Sequence, residues 1–136
     1  MIHESMKSTE DNEQVRQLVE NWAQAVRNRD LPTILTHHSE DIVMYDVPKP
    51  FQSTGIDAYR DTWDTFFAFT KPGVFEIQEL TVVAENRVAF CFATMICENK
   101  SDGNDYDTLA FRLTVGLQKI NNQWMIVHEH HSIPSE

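Results

Sequence analysis

Proton transfer needs carboxylates or imidazoles held where water is scarce, and this chain places such groups in two stretches. The first is Asp46, which ends the apolar run Ile42–Tyr45 and precedes a loop punctuated by Pro48 and Pro50. A carboxylate projecting from there into apolar surroundings would have a raised pKa and could act as a base near neutrality. The same side chain could instead cap backbone N–H groups of its own loop. The second stretch is the terminal run from Trp124 to Ser132, which holds Glu129 among three histidines, His128, His130 and His131. Strand alternation sets Met125, Val127, Glu129 and His131 on one side and Trp124, Ile126, His128, His130 and Ser132 on the other. A bulge would reverse which set faces inward. Asp46, Glu129 and His131 together could move a proton between substrate atoms, the imidazole titrating near neutral pH. Arg112, Thr114, His128 and His130 form an alternative polar cluster.

Other reactive residues have plainer readings. His128 and His130 could share a metal ion, but the sequence offers no third ligand, so histidines bonded across strands to Thr114 or Arg112 are favoured. His37 and His38 fall at an expected helix end, where they complement the dipole. Cys91 and Cys97 share one strand face at a separation that a disulfide cannot span. They read as small buried hydrophobes of a reducing cytoplasm. Arg112, charged within an apolar strand, needs solvent or a partner such as Glu98, Asp105 or Asp107. No glycine-rich phosphate loop, G-x-S-x-G elbow or Cys–His signature occurs, so nucleotide and serine hydrolysis find no support.

The elements that must position these groups follow from periodicity. Residues 1–8 read as a flexible tail, and 9–136 as one domain. Val15, Leu18, Val19, Trp22, Ala25 and Val26 recur at helical spacing between Glu10 and Asn28. Asp30 caps a short helix with Pro32 in its first turn, ending near His37 or His38. After Gly55, Ile56, Tyr59, Trp63, Phe66 and Phe67 again follow a helical period, closed by Lys71-Pro72-Gly73. Four strands complete the chain, at about 74–84, 88–98, 106–120 and 123–133, with turns at Glu85-Asn86-Arg87 and Asn121-Asn122. Helices followed by consecutive strands argue an α+β domain: a curved antiparallel sheet with helices on its concave face. Leu109, Phe111, Leu113, Val115 and Leu117 should pack under the helices. On the preceding strand Val88, Phe90, Phe92, Thr94 and Ile96 are the bulkier set. The small set from Ala89 to Cys97 suits close approach of another sheet or subunit.

Composition sets limits. The chain has 136 residues, 41% of them hydrophobic and 24% charged, enough for one domain with a real core. A formal charge of −10 opposes binding to phosphate backbones or anionic lipid, so neither nucleic acid nor a membrane is an expected partner. No apolar run reaches membrane-spanning length, and a cytoplasmic protein is expected.

Three segments, "NRDLPTILTHHSEDIVMYD", "GIDAYRDTWDTFF" and "GLQKINNQWMIVHEHHSIP", resemble the SnoaL-like and ketosteroid-isomerase-like branch of the nuclear transport factor 2-like superfamily. The most specific piece is W-x-I-V-H-x-H-x-S, from Trp124 to Ser132. The resemblance implies a cone-shaped fold around an apolar pocket, a homodimer formed through the sheet, and no cofactor. It implies either a cofactor-independent isomerase, cyclase or dehydratase, or a non-catalytic binding or assembly domain. Asp46 matches the isomerases' general base, and Glu129 is the nearest equivalent of a cyclase acid/base. The isomerases' oxyanion donors fall at Trp22 and Val115, a departure that argues against steroid isomerisation. Trp22, Tyr45, Trp63, Phe67, Phe92, Thr94, Val115 and Val127 are the expected pocket residues, for a small apolar or weakly polar ligand.

Overall fold

The computed structural model describes residues 2–101, 103 and 105–135, with residues 2–8 in their backbone alone. Helix α1 (Ile2–Arg27) begins earlier than the apolar pattern does. From Val15 onward the stripe is complete, with Val15, Val19, Trp22, Ala23, Ala25 and Val26 all buried. Helix α2 (Leu31–Ile34) is a single turn whose cap, Asp30, accepts from the Thr33 amide and hydroxyl. His37 then takes φ +58, and His38 opens strand β1 (His38–Tyr45). The helix end thus falls ahead of both histidines, and His38 is a strand residue.

A two-residue strand, β2 (Ser53–Thr54), precedes helix α3 (Ile56–Phe69), and strands β3 (Thr70–Glu85), β4 (Val88–Lys100), β5 (Tyr106–Ile120) and β6 (Gln123–Ser132) follow. The segment 71–73, expected as a helix stop, is already the start of β3. The six strands form one sheet in the order β2-β1-β6-β5-β4-β3. Every neighbouring pair is antiparallel except β1 and β6, which run parallel. Because α3 and three long strands separate β1 from β6, this pairing is the most non-local in the sheet, and short-range periodicity carries no sign of it.

The core lies between the inner sheet face and the helices. Phe111, Leu113, Val115 and Leu117 of β5 face it, as the alternation predicts. On β4 the outcome is the reverse of a bulky-side-in reading. Ala89, Cys91, Ala93, Met95 and Cys97 are buried, whereas Val88, Phe90 and Phe92 are 61%, 46% and 48% exposed. The inner face already carries Trp22, Trp63, Phe75, Leu113 and Leu117 in the same core, so close packing leaves room there for small side chains. Both cysteines are free and buried, and burial pushes the Cys91 thiol up to about 12 and the Cys97 thiol to about 11.

Candidate functional site

Strand β6 changes phase once. Ile126 pairs with Leu117 and His128 with Gly116, so Val127 is an extra residue in the ladder. This bulge lets Trp124 and Ile126 face inward before it, and Glu129 and His131 after it. Neither strict alternation nor the reversal expected from a bulge describes this. Two apolar residues and two ionisable ones with internal partners all favour the interior, and one inserted residue reconciles them.

Glu129 is fully buried, meets two other elements directly and reaches a third through Tyr59. The Tyr59 hydroxyl of α3 donates to its Oε1 at 3.0 Å. His38 Nε2, from β1, stands 3.0 Å from that hydroxyl and 3.5 Å from Oε1, while its Nδ1 is held by the Thr36 carbonyl at 2.8 Å. The Trp22 indole N–H of α1 donates to the same hydroxyl at 3.2 Å. The other carboxylate oxygen, Oε2, faces His131 Nε2 at 3.9 Å. That separation makes a charge contact rather than a hydrogen bond. Accordingly Glu129 Oε2, His131 Nε2 and the Trp63 indole nitrogen are buried without hydrogen-bond partners.

The electrostatics follow from this crowding. Burial by itself would raise the Glu129 pKa, but contact with His131 and His38 outweighs it and brings it down to about 2. Burial would lower the pKa of His131, yet the Glu129 carboxylate, with a smaller contribution from Asp46, raises it instead. Tyr59 is pushed well up, first by burial and then by the Glu129 charge, so its hydroxyl remains a donor.

His131 also borders a cavity of about 500 Å³ between α3, the loop after β1 and the inner sheet face. Trp63, Phe66 and Phe69 of α3 and Leu109 and Phe111 of β5 form its apolar wall, and Asp46, Lys49 and Asp61 stand along its sides. Asp46 is half-buried, with Oδ1 accepting from the Val47 amide at 2.8 Å. The cavity thus has a greasy wall and an acid–base edge.

Asp46, His131 and Trp63 therefore border one cavity, with Glu129 behind His131 rather than on the surface. Trp22 and Val115 are buried in the core and lie outside the lining. Phe67 lies tilted beside Trp63 and under the Arg29 guanidinium, also outside it. Tyr45, Phe92 and Thr94 are exposed, and Val127 is the half-buried bulge residue. The alternative cluster sits on the outer sheet face. There Arg112 donates to the Ser132 hydroxyl at 3.1 Å, His130 pairs with Thr114, and His128 Nδ1 bonds the Val43 carbonyl at 2.6 Å. Arg112 thus meets Ser132 rather than one of the acids suggested by sequence. No group of three His, Cys, Asp or Glu side chains among the described residues is placed to hold a metal ion. Nor is any described helix long and apolar enough to cross a membrane.

The family comparison is decided by extent. The SnoaL-like domain family matches residues 15–136. The chain belongs to that family. This SnoaL-like domain also resembles solved structures over almost its whole length. A nuclear transport factor 2-like protein of unknown function from Pseudomonas putida KT2440 is 37% identical, with 95% of this chain and 90% of that one covered and a TM-score of 0.84. A ketosteroid isomerase-like protein from Erwinia carotovora atroseptica shares 16% identity, with 93% and 98% covered and a TM-score of 0.78. A nuclear transport factor 2-like superfamily protein from Salmonella enterica serovar Typhimurium shares 13%, with 94% of each chain covered and a TM-score of 0.79. These likenesses establish the cone-shaped α+β fold with its curved, open sheet. None of the curated proteins compared with it matches.

Two residues of the SnoaL-like site escape a sequence reading: Tyr59 and His38. Tyr59 falls on the apolar stripe of α3 and reads as core. Its signal is chemical, since a buried phenol seeks a hydrogen-bond partner. His38 is hidden by its position beside an expected helix end.

Proposed function

We propose that this SnoaL-like domain binds a small organic molecule in the cavity and catalyses cofactor-free proton transfer on it, as in an isomerisation, cyclisation or dehydration. The observation that carries the reading is His131, which borders an apolar cavity while a buried, ionised Glu129 backs its Nε2. With Nε2 turned to Glu129, the Nδ1 edge is left for substrate, and His131 is the acid/base. Glu129 positions the ring and stabilises its protonated form, a role one step behind direct acid/base contact with substrate. Asp46, whose charge also reaches His131, is the second proton carrier at the cavity edge.

Hydrogen exchange of an enolisable aryl ketone such as tetralone, followed in heavy water, tests this without knowledge of the natural product. The domain should accelerate loss of the α-proton, and His131→Gln should reduce that rate by about 100-fold or more. Equal rates for the two proteins would leave the non-catalytic reading, a ligand-binding or assembly domain. That second reading draws on Glu129, which does not itself reach the cavity. Either way the outer sheet face supports a homodimer: Phe90 and Phe92 are half-exposed there and stack at 6.3 Å with their planes 18° apart. A face of this kind is a usual site of association.

A further inference from the structure

We propose that His38 is a positioning residue for the proton chemistry of the cavity: its ring carries a proton on each nitrogen, which makes it the standing counter-ion of Glu129 and leaves His131 as the imidazole whose proton moves. Its part in catalysis rests on the function proposed above, whereas its protonation follows from the hydrogen bonds around it.

Those bonds must all be satisfied together. His38 Nδ1 faces the Thr36 carbonyl at 2.8 Å, and a carbonyl oxygen only accepts, so Nδ1 carries a proton. Nε2 stands 3.0 Å from the Tyr59 oxygen and 3.5 Å from Glu129 Oε1. Tyr59 has a single hydroxyl proton, which it donates to Oε1, while the Trp22 N–H donates to the hydroxyl oxygen. Nε2 must then donate as well. A lone pair at Nε2 would draw the hydroxyl proton to itself. Glu129, whose Oε2 already lacks a hydrogen bond, would then be buried with no donor at either oxygen. The other neutral tautomer would set a bare Nδ1 against the Thr36 carbonyl. One further arrangement keeps every bond: the proton passes from His38 through Tyr59 to Glu129 and leaves a neutral acid. The fall of the Glu129 pKa to about 2 stands against it.

The consequence falls on His131. Among the described residues, the ion contacts of Glu129 are with His38 and His131. One carboxylate thus faces two rings, and a cation on His38 weakens the hold of Glu129 on the His131 proton. Tyr59 of α3 and Cys91 of β4 also feel this carboxylate, but both are shifted upward and stay neutral, and α1 contributes the uncharged Trp22 indole. Asp46 acts on His131 from the cavity edge.

Ring-nitrogen NMR shifts of the wild type at neutral pH should show His38 protonated at both nitrogens. His38→Gln removes the charge and retains an N–H donor, so the His131 titration should move upward, because Glu129 then faces one imidazole. Mere loosening of the packing would move it the other way, toward the ordinary histidine value. The pH profile of tetralone exchange should shift upward with it, and the rate at neutral pH should fall about tenfold as His131 holds its proton more tightly. A His38 ring protonated at one nitrogen, or a His131 titration unmoved or lowered in the variant, overturns the inference. The wild-type spectrum decides the assignment even where the variant does not fold. Absence of tetralone exchange by the wild type would sink the catalytic reading, and the two NMR measurements would still judge His38.

Discussion

One strand carries the same chemistry twice, in opposite settings. On β6, Glu129 and His131 point inward, where they are almost wholly buried and perturb each other's charge. His128 and His130 point outward from the neighbouring positions, with Tyr45 edge-on to both rings and the Val43 carbonyl holding one of them. Residue type does not distinguish these sides, because histidines occur on both. What differs is the low-dielectric surround and the convergence of α1, α3 and β1 on the inner pair. A reactive site is thus made by what the rest of the fold brings to a side chain.

The comparison can be broken most severely at Glu129. Glu129→Ala removes the carboxylate that faces two buried imidazoles and should destabilise the protein by about 3–5 kcal/mol, read from urea unfolding. Tyr59→Phe is milder. It strips the donor from Glu129 Oε1 and the acceptor from Trp22, and should cost about 1–3 kcal/mol in the same assay. A variant as stable as wild type would show that the inner network is slack.

Acidity sharpens the contrast further. Glu129 has a lower pKa folded than unfolded, so its contribution to stability is complete above the ordinary carboxylate range and fades as the pH falls toward about 2. His131 has a higher pKa folded than unfolded. Its contribution is complete below its ordinary value and is lost as the pH rises through the folded one. Midpoints of urea unfolding measured across pH should therefore decline on both sides of a mildly acidic plateau. Proton NMR of the His131 ring should place its titration above the usual histidine value in wild type and lower in Glu129→Gln, where burial is opposed by Asp46 without Glu129. The smallest effect belongs outside. His130→Ala should change stability by no more than about 0.5 kcal/mol, since that ring is exposed. A larger loss would mean that the outer face is an organised partner of the inner one.

Much of the fold is legible in local pattern, and less of the site. The helical stripes of α1 and α3, the Asp30 cap and the alternation of β5 lie within short stretches of chain, where periodicity records which side is buried. Asp46 and the Glu129–His131 pair are visible because ionisable groups interrupt apolar runs. The inward face of β4 was not legible. Whether Phe92 or Cys91 is buried depends on how much volume Trp22, Phe75 and Leu113 already occupy, which no single strand reveals. His38 and Tyr59 are obscured in the same way, their partner lying 91 and 70 residues away.

By itself the sequence determined the α+β class, the order and approximate limits of the long elements, and the presence of carboxylates and imidazoles at the ends of two apolar runs. These follow from interactions among residues a few positions apart. The tertiary structure decided that β1 runs parallel to β6, that Val127 shifts the phase of the last strand, and that Glu129 stands behind His131 instead of in the cavity. Each of these depends on packing and charge balance between segments distant in the chain, where several locally acceptable arrangements compete and only the assembled core selects one.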